Sequence, residues 1–428
     1  MINTSTTTLR SAAEVALGRQ RSPQHAQGEH MVCYLRAANV KDGTLDLTDV
    51  QSMNFTPAEQ RIFALRPGDV LVTEGSGSLS SVGASAVWRG EVDGMVCFQN
   101  TLLRIRPRAG VDGRYLEWWA RSAFGSGVFA SIASGANIYH LSAERVRALP
   151  INLPPLEEQR RIADFLDAET ARMDKTIATA RRMRAVLSER KSAHRALTLR
   201  GGHKSGGRYI HPLLGDLPNE WKILPLKRLV PRIGVGVVVD PSSYFADEGV
   251  PFLRGANILP DKIHLEDVRY ISPSDSRKLW RSQLFEGDVV VVRAGDPGRA
   301  AVVTRELNGA NCASVLVIKK GEILLPEYLA AYFNSALGAA YVDSVRYGAA
   351  QEQINVSHVV DFMVPVPSIS EQKEILADLH RSAAPGIALD QLLAKQSAVL
   401  TERRQAVITA AVTGQIDVST ASGRGIEE

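Results

Sequence analysis

Two long stretches of this chain repeat an apolar residue at a 3.5-residue period. In the first, from about Leu156 to about Leu199, one seam position falls on Leu166, Met173, Ala180, Leu187 and His194. The second carries Leu379, Gly386, Leu393, Leu400 and Val407 at the same spacing. The other seam position includes Ile162, Met183 and Leu197, against Ile375, Gln396 and Ala410. A stripe of this period wants a partner helix, and the available partner of each is the other. A helix of about 44 residues is a rod of roughly 65 Å, far longer than one small domain needs for its own core. Two separate helices, each docked on its own domain, remain the alternative. Pro385-Gly386 predicts a kink or brief break in the second rod.

Each rod opens on the same signal, Leu153-Pro154-Pro155-Leu156-Glu157-Glu158-Gln159 in one and Val366-Pro367-Ser368-Ile369-Ser370-Glu371-Gln372 in the other. Proline ahead of a helix costs nothing there, because the first helical N–H groups have no intrahelical partner. The glutamates sit at the positive end of the helix dipole. The two signals lie 213 residues apart, as do Tyr115-Leu116 and Tyr328-Leu329, Glu189-Arg190 and Glu402-Arg403, Gly135 and Gly348, and Gly201 and Gly414. Upstream the offset drifts to 218 for the segment at Leu35 against that at Leu253, and to 219 for Gly68-Asp69-Val70 against Gly287-Asp288-Val289. Small loop insertions inside one duplicated unit produce such a drift, so the chain reads as two copies of a mixed domain followed by a long helix. The expected boundaries are 1–153, helix 154–200, linker 201–216, second domain 217–366, helix 367–413 and a polar tail 414–428.

Within the domains the period shortens to that of strands. Strands are expected at Val70-Leu71-Val72, from Asn100 to Ile105, around Phe252 and at Val289 to Val292. Each of the Val70 and Val289 strands follows a Gly-Asp turn. Short helices are expected from Tyr115 to Ala123 and from Pro326 to Asn334. Arg19 and Arg21 fall in an exposed polar loop, the segments 75–81 and 125–135 read as loops, and 201–207 reads as a flexible linker.

Composition changes this picture little. Hydrophobic residues make up 45% of the 428 and charged residues 22%, as in an ordinary globular protein. Net charge is +4, so nucleic-acid binding would require basic residues gathered on one face. Cys33, Cys97 and Cys312 are scattered, which excludes a zinc ribbon or disulfide framework. No apolar run reaches membrane-spanning length and the first residues lack the pattern of a signal peptide, so a cytoplasmic protein without membrane contact is expected.

Catalytic signals are weak. There is no phosphate-binding GxxxxGK[ST], no complete GxGxxG, no HExxH and no aromatic Asn-Pro-Pro or Asp-Pro-Pro tetrad. Glu189-Arg190-Lys191 and Glu371-Gln372-Lys373 fit the Glu-x-Lys of some nucleases, but both lie on the rods, where charge triplets belong to solvated faces. No catalytic residue and no metal site is assigned.

The ordered, duplicated set of features resembles the specificity (S) subunit of type I restriction-modification systems. It comprises the two Glu-Gln helix starts, Trp221-x-x-x-Pro225-Leu226, the paired Gly-Asp-Val turns, and Glu402-Arg403-Arg404 leading to Val412-Thr413-Gly414. The first copy departs by lacking the tryptophan opening, the second by Pro385-Gly386. The resemblance implies an α+β fold. Two homologous α/β target-recognition domains would be separated by two long antiparallel coiled-coil helices, in an internal pseudo-two-fold repeat. It implies double-stranded DNA as ligand, with each domain reading half of an asymmetric bipartite site. Two methyltransferase subunits and the restriction subunits are the implied partners. S-adenosylmethionine, ATP and Mg are then expected on those partners, with no cofactor bound directly. Glu158, Gln159, Leu166, Met173 and Leu187, with Glu371, Gln372, Leu379, Leu393, Leu400 and Val407, are the candidate docking and spacer positions.

Arginine reads guanine, and Asn or Gln reads adenine. In the first domain the candidates for DNA contact are Arg19, Arg21, Ser76, Ser78, Asn137, Tyr139 and His140. In the second they are Arg293, Arg299, Gln351 and Gln353. Arg36-Ala37-Ala38-Asn39 and Arg254-Gly255-Ala256-Asn257 recur in both copies, which favours turn scaffolding over base reading. A stand-alone nuclease and a coiled-coil scaffold that binds no DNA are the alternatives.

Overall fold

The structure, a computed structural model, describes residues 5–202, 204–212, 214–346 and 352–418. It divides into two compact units, Met1–Arg181 with Ala394–Glu428, and Arg182–Leu393. The long helices are Leu156–Leu199 and Ile369–Val412, 44 residues each, and each gives one half to each unit.

In the first unit, Ala13–Leu17, Leu102–Pro107, Val70–Thr73 and Ser85–Val87 form an antiparallel four-stranded sheet in that order. A second sheet sets Met31–Leu35 between Val96–Phe98, which runs parallel to it, and Gln51–Asn54, which runs antiparallel. Ser5–Thr8 pairs with Pro150–Leu153, the strand that leads into the first long helix. The helix Gly113–Gly125 buries Tyr115, Leu116, Trp118 and Trp119 in a core shared with Val70 and Ile105 of the sheet. Ile162, Ala163 and Leu166 of one long helix and Ile408, Ala411 and Val412 of the other complete that core. The expected loop at 125–135 contains a short helix, Val128–Ile132, because Phe129 is drawn into the same core.

The second unit repeats this plan. Ile233–Val235, Val315–Ile318, Val289–Val292 and Ala300–Val302 stand in the same sheet order. Val250–Leu253 lies parallel to Asn311–Cys312 and antiparallel to Arg269–Ile271, with Phe245–Ala246 added at the edge. Lys222–Pro225 pairs with Met363–Val366, which leads into the second long helix. Part of the expected linker is ordered. Arg208–His211 and Gly215–Pro218 form a hairpin, since Leu214 and Leu217 are buried with Leu199 and Trp221.

The repeat extends to single hydrogen bonds. Gly68 and Gly287 take left-handed φ of 93° and 87°, which costs a glycine least. The next residue is a buried aspartate that caps its own turn, Asp69 accepting from the Arg66 N–H at 2.7 Å and Asp288 from that of Phe285 at 2.8 Å. Each aspartate also meets one cation at 2.6 Å, Arg106 in the first unit and Lys319 in the second. The recurrent asparagines are scaffolding: Asn39 accepts from the Arg36 N–H at 3.0 Å and Asn257 from that of Arg254 at 2.9 Å.

The most telling pair is Gln159 and Gln372. Both side chains are buried in the first turn of a long helix. The Gln159 amide donates to the carbonyls of Pro154 at 2.8 Å and Gly110 at 3.3 Å, and its oxygen accepts from the Asp112 N–H at 2.9 Å. Gln372 donates to Pro367 at 3.0 Å and Ile323 at 2.9 Å, and accepts from Leu325 at 2.8 Å. Each glutamine therefore fastens a long helix to the loop that starts the short helix of its own domain.

Within each unit the long helices pair antiparallel. In the first, Leu166, Met173, Ile177 and Ala180 are buried, and Arg404 meets Asp174 at 3.0 Å. In the second, Ile375 and Leu379 are buried, and Arg184 meets Asp390 at 2.7 Å. There Asp378 receives His194 and Thr198, both at 3.1 Å. Leu187, Leu393, Leu400 and Val407 are half-buried along the seam. The second seam position corrects the sequence expectation, because Met183 and Leu197 are 46% and 58% exposed. The second seam row lies four residues on from Leu166, at Thr170, Ile177 and Arg184, and apolar periodicity overlooks a seam arginine. The expected break at Pro385 is absent, and Ile369–Val412 runs on through it. The lost N–H there forfeits one helical hydrogen bond. Beside Leu187 a cleft of about 890 Å³ opens, lined by Arg190 and Lys191 of the first long helix and by Ala383, Pro385, Gly386 and Ile387 of the second.

Replacing Gln159 or Gln372 by Ala leaves a buried N–H and two buried carbonyls without their partner. Each substitution is expected to lower the unfolding free energy by about 1–3 kcal/mol. Urea denaturation checks this, and a change within the noise for both would mean that the amide does not hold the helix.

Candidate nucleic-acid interface

The candidate residues come together at one place in each domain, the rim just past the second inner strand of the four-stranded sheet. In the first domain, Gly75–Ser76 pairs antiparallel with Tyr139–His140, placing Ser76 opposite Tyr139 and Gly75 opposite His140. The Leu141 N–H donates to the Glu74 carbonyl at 2.8 Å, closing the pair. The His140 Nδ1 lies 3.1 Å from the Glu74 carboxylate. Ser78, Leu79, Asn137 and Ile138 are exposed on the same rim. Ser76 accepts from the Ser78 N–H at 3.1 Å, and the Ser78 and Ser80 hydroxyls are 2.7 Å apart, so this loop is held by its own hydroxyls.

The second domain builds the same rim from different residues. Ala294 bridges antiparallel to Gln353, the Ile354 N–H donates to the Arg293 carbonyl at 2.9 Å, and the Gly295 N–H donates to Glu352 at 3.2 Å. The Arg293 guanidinium donates to the Gln353 side-chain oxygen at 3.3 Å. Glu74 and Arg293 stand at the 219 offset, and His140 and Gln353 at the 213 offset, so the two side-chain pairs occupy equivalent positions. Arg299 leaves this loop on the next strand side and pairs with Asp296 at 3.1 Å. Gln351 lies outside the described residues.

Two expectations change. Arg19 is buried, not in an exposed loop. Its Nε donates to Glu59 at 2.7 Å, its Nη1 donates to the Asn54 carbonyl at 2.8 Å, and it stacks over Phe55 at 5.0 Å. It ties the chain to the second sheet and offers DNA nothing, whereas Arg21 is exposed. Glu74 was overlooked. The signal was available, because it is the repeat counterpart of Arg293.

The helix starts differ in charge balance. Glu371 completes a capping box, accepting from the Ser368 N–H at 2.8 Å, while Ser368 accepts from the Glu371 N–H at 3.3 Å. Lys204 pairs with the same carboxylate and Trp221 Nε1 donates to it at 3.4 Å. Burial alone would raise this carboxyl, but Lys204, Ser368 and Trp221 outweigh it and hold it down to about 2. At the equivalent place Glu158 pairs with Arg161, and its other oxygen is buried without a partner among the described residues. Glu158, Gln159, Glu371 and Gln372 thus spend their side chains inside their own units. Among the described residues there is no group of three or more His, Cys, Asp or Glu able to hold a metal ion. No helix among them is long and apolar enough to cross a membrane.

Comparison with known proteins agrees with this architecture. Residues 114–180, from the Tyr115 helix to the middle of the first long helix, match the type I restriction modification DNA specificity domain. The specificity subunit of the type I restriction enzyme EcoKI of Escherichia coli K12 is 23% identical over 391 residues, covering 89% of this chain and 82% of that protein. The StySPI specificity subunit of Salmonella potsdam is 23% identical over 424 residues, covering 97% and 88%. A chain from a solved structure concerned with assembly and conformational transition of a type I restriction-modification system shares the fold. It has a TM-score of 0.66 and 19% identity, over 96% of this chain and 98% of that one. The fold class is therefore a pair of like α/β domains with two long, antiparallel paired helices. Over most of its length the chain is similar to specificity subunits of type I restriction enzymes, and residues 114–180 match that family's DNA specificity domain.

Because the Glu371 carboxyl lies below its ordinary value in the folded protein, it adds stability above the unfolded pKa, and that stability is lost as pH falls from about 5 to about 2. A Glu371→Gln variant is expected to lose less stability across that window than the parent, measured by urea midpoints at each pH. Parallel curves would refute the role given to Lys204 and Trp221.

Proposed function

We propose that this chain is the DNA-reading subunit of a type I restriction-modification assembly, binding an asymmetric site in two halves and doing no chemistry itself. One observation carries the reading: the same rim is built twice on matching backbone, with Glu74 and His140 on one copy and Arg293 and Gln353 on the other. Two like frames with unlike side chains suit two half-sites of different sequence, much as a dimer reads two like ones. Phosphate contacts would position each domain and base-edge contacts specify it. In this reading two methyltransferase subunits dock on the chain and flip out the target adenine using S-adenosylmethionine. Restriction subunits bring ATP and Mg. The nuclease alternative is disfavoured by the tethering of Glu371 to Lys204 and Trp221 and by the burial of Gln372. Purified protein with plasmid and magnesium is accordingly expected to cut nothing, and to bind random duplex with an affinity that falls steeply with salt.

The gap between half-sites is assigned to the length of the paired helices. Seven residues inserted after Ala180 and seven after Ala394, facing positions of the pair, add about 10 Å. That is about three base pairs. Methylome sequencing of a host carrying the complete system is expected to show both half-sequences unchanged and the unspecified spacer longer by about that much. An altered half-sequence with unchanged spacing would contradict the assignment.

A further inference from the structure

The two domains share a backbone and oppose their chemistry at one residue, the one that follows Val70–Thr73 in the first and Val289–Val292 in the second. Glu74 holds it in one and Arg293 in the other, and each is joined to a side chain from the facing segment. We infer that this is a base-reading position in both domains, with Glu74 and His140 taking an amino-bearing base edge and Arg293 and Gln353 taking guanine. The inference rests on the DNA-reading role proposed above and adds what each half would read there.

The polarity follows from the donors and acceptors. An ionised carboxylate only accepts, so the His140 Nδ1 beside Glu74 carries the proton and donates. The lone pairs of the Glu74 carboxylate that His140 does not use remain acceptors. The first rim thus presents acceptors, which match the N4 amino group of cytosine or the N6 amino group of adenine in the major groove. In the second rim every Arg293 nitrogen is a donor, and the contact it makes with Gln353 is to the amide oxygen. That leaves the rest of the guanidinium fork and the Gln353 amide N–H groups as further donors on two half-buried side chains. Guanine, with acceptors at O6 and N7, is the base they match.

Geometry supports a reading role over a chance surface contact. In both domains the facing segment is pinned by a backbone bond to the carbonyl of this very residue, from Leu141 at 2.8 Å and Ile354 at 2.9 Å. His140 is 53% exposed and Glu74 16% exposed, so both side chains keep solvent-accessible surface at the rim. Each side chain's partner removes part of the rotamer freedom that binding would otherwise have to restrict.

The test is selection from a random duplex pool by the full chain with its methyltransferase subunits, for the parent and for Glu74→Gln, Arg293→Gln and Arg293→Lys. Glu74→Gln is expected to lose about tenfold of the preference for an amino-bearing base at one position of one half-site. Arg293→Gln is expected to lose about tenfold of a guanine preference in the other half-site. In each case the untouched half is the internal control for folding. Arg293→Lys keeps the charge but not the fork, and is expected not to restore guanine. Full guanine preference with lysine, or a loss of affinity equal for all sequences, would assign Arg293 to phosphate positioning and overturn the inference. A parent motif in two halves that neither substitution alters would overturn it while leaving the DNA-reading role intact. A parent that selects no two-part motif would overturn that role as well.

Discussion

A buried glutamine in the first turn of each long helix is the contact on which the rest depends. Gln159 and Gln372 each satisfy three backbone groups of their own domain. A lone aliphatic side chain there would fill space but leave those groups unpaired at several sites, which is costly inside a protein. The amide is planar and carries both donor and acceptor, so it fixes direction as well as contact. The helix leaves its domain at an angle set by the domain's own loop. The Tyr115 and Tyr328 hydroxyls reinforce this, donating to the carbonyls of Asn152 at 2.6 Å and Pro365 at 3.0 Å on the strands that feed the helices.

Behind that contact the two units share a frame of buried polar groups. Asp69 with Arg106 and Asp288 with Lys319 are buried carboxylates paired with one cation each, and removing either partner would strand a charge away from water. Such groups tolerate little change, whereas the rim residues above them are free to differ. Duplication with divergence is therefore divided by burial. The Gly-Asp turns and the glutamine clamps match bond for bond, and the rim pairs at Glu74 and Arg293 carry opposite chemistry.

The helix pair shows a second division. Toward each domain its seam is apolar, with Ile162 and Leu166 or Ile375 and Leu379 in the domain cores. Farther along it becomes polar, with Arg184 on Asp390 and Arg404 on Asp174. Charged seam positions cost stability but restrict register and partner choice in paired helices. Asp42 and Glu117, both pushed up by burial and both facing arginines, lie where the short helix of the first domain meets this pair.

The repeat was open to reading from the residues alone, because helix starts, Gly-Asp turns and the Tyr-Leu of the short helices are local signals that survive duplication. The first rod, Leu156–Leu199, followed from a proline turn, a Glu-Gln start and a sustained apolar period. What the chain could not disclose by itself were the long-range polar matches. Arg19 looks like a loop cation until Glu59 and Phe55 are folded over it, and Arg184 looks solvated until Asp390 faces it across the seam. Glu74 meets His140 only because a strand pair brings together segments 66 residues apart in sequence. Periodicity reports which face a residue takes on its own element. Which charge it finds there is decided by elements distant in the chain, and only the tertiary structure supplies them.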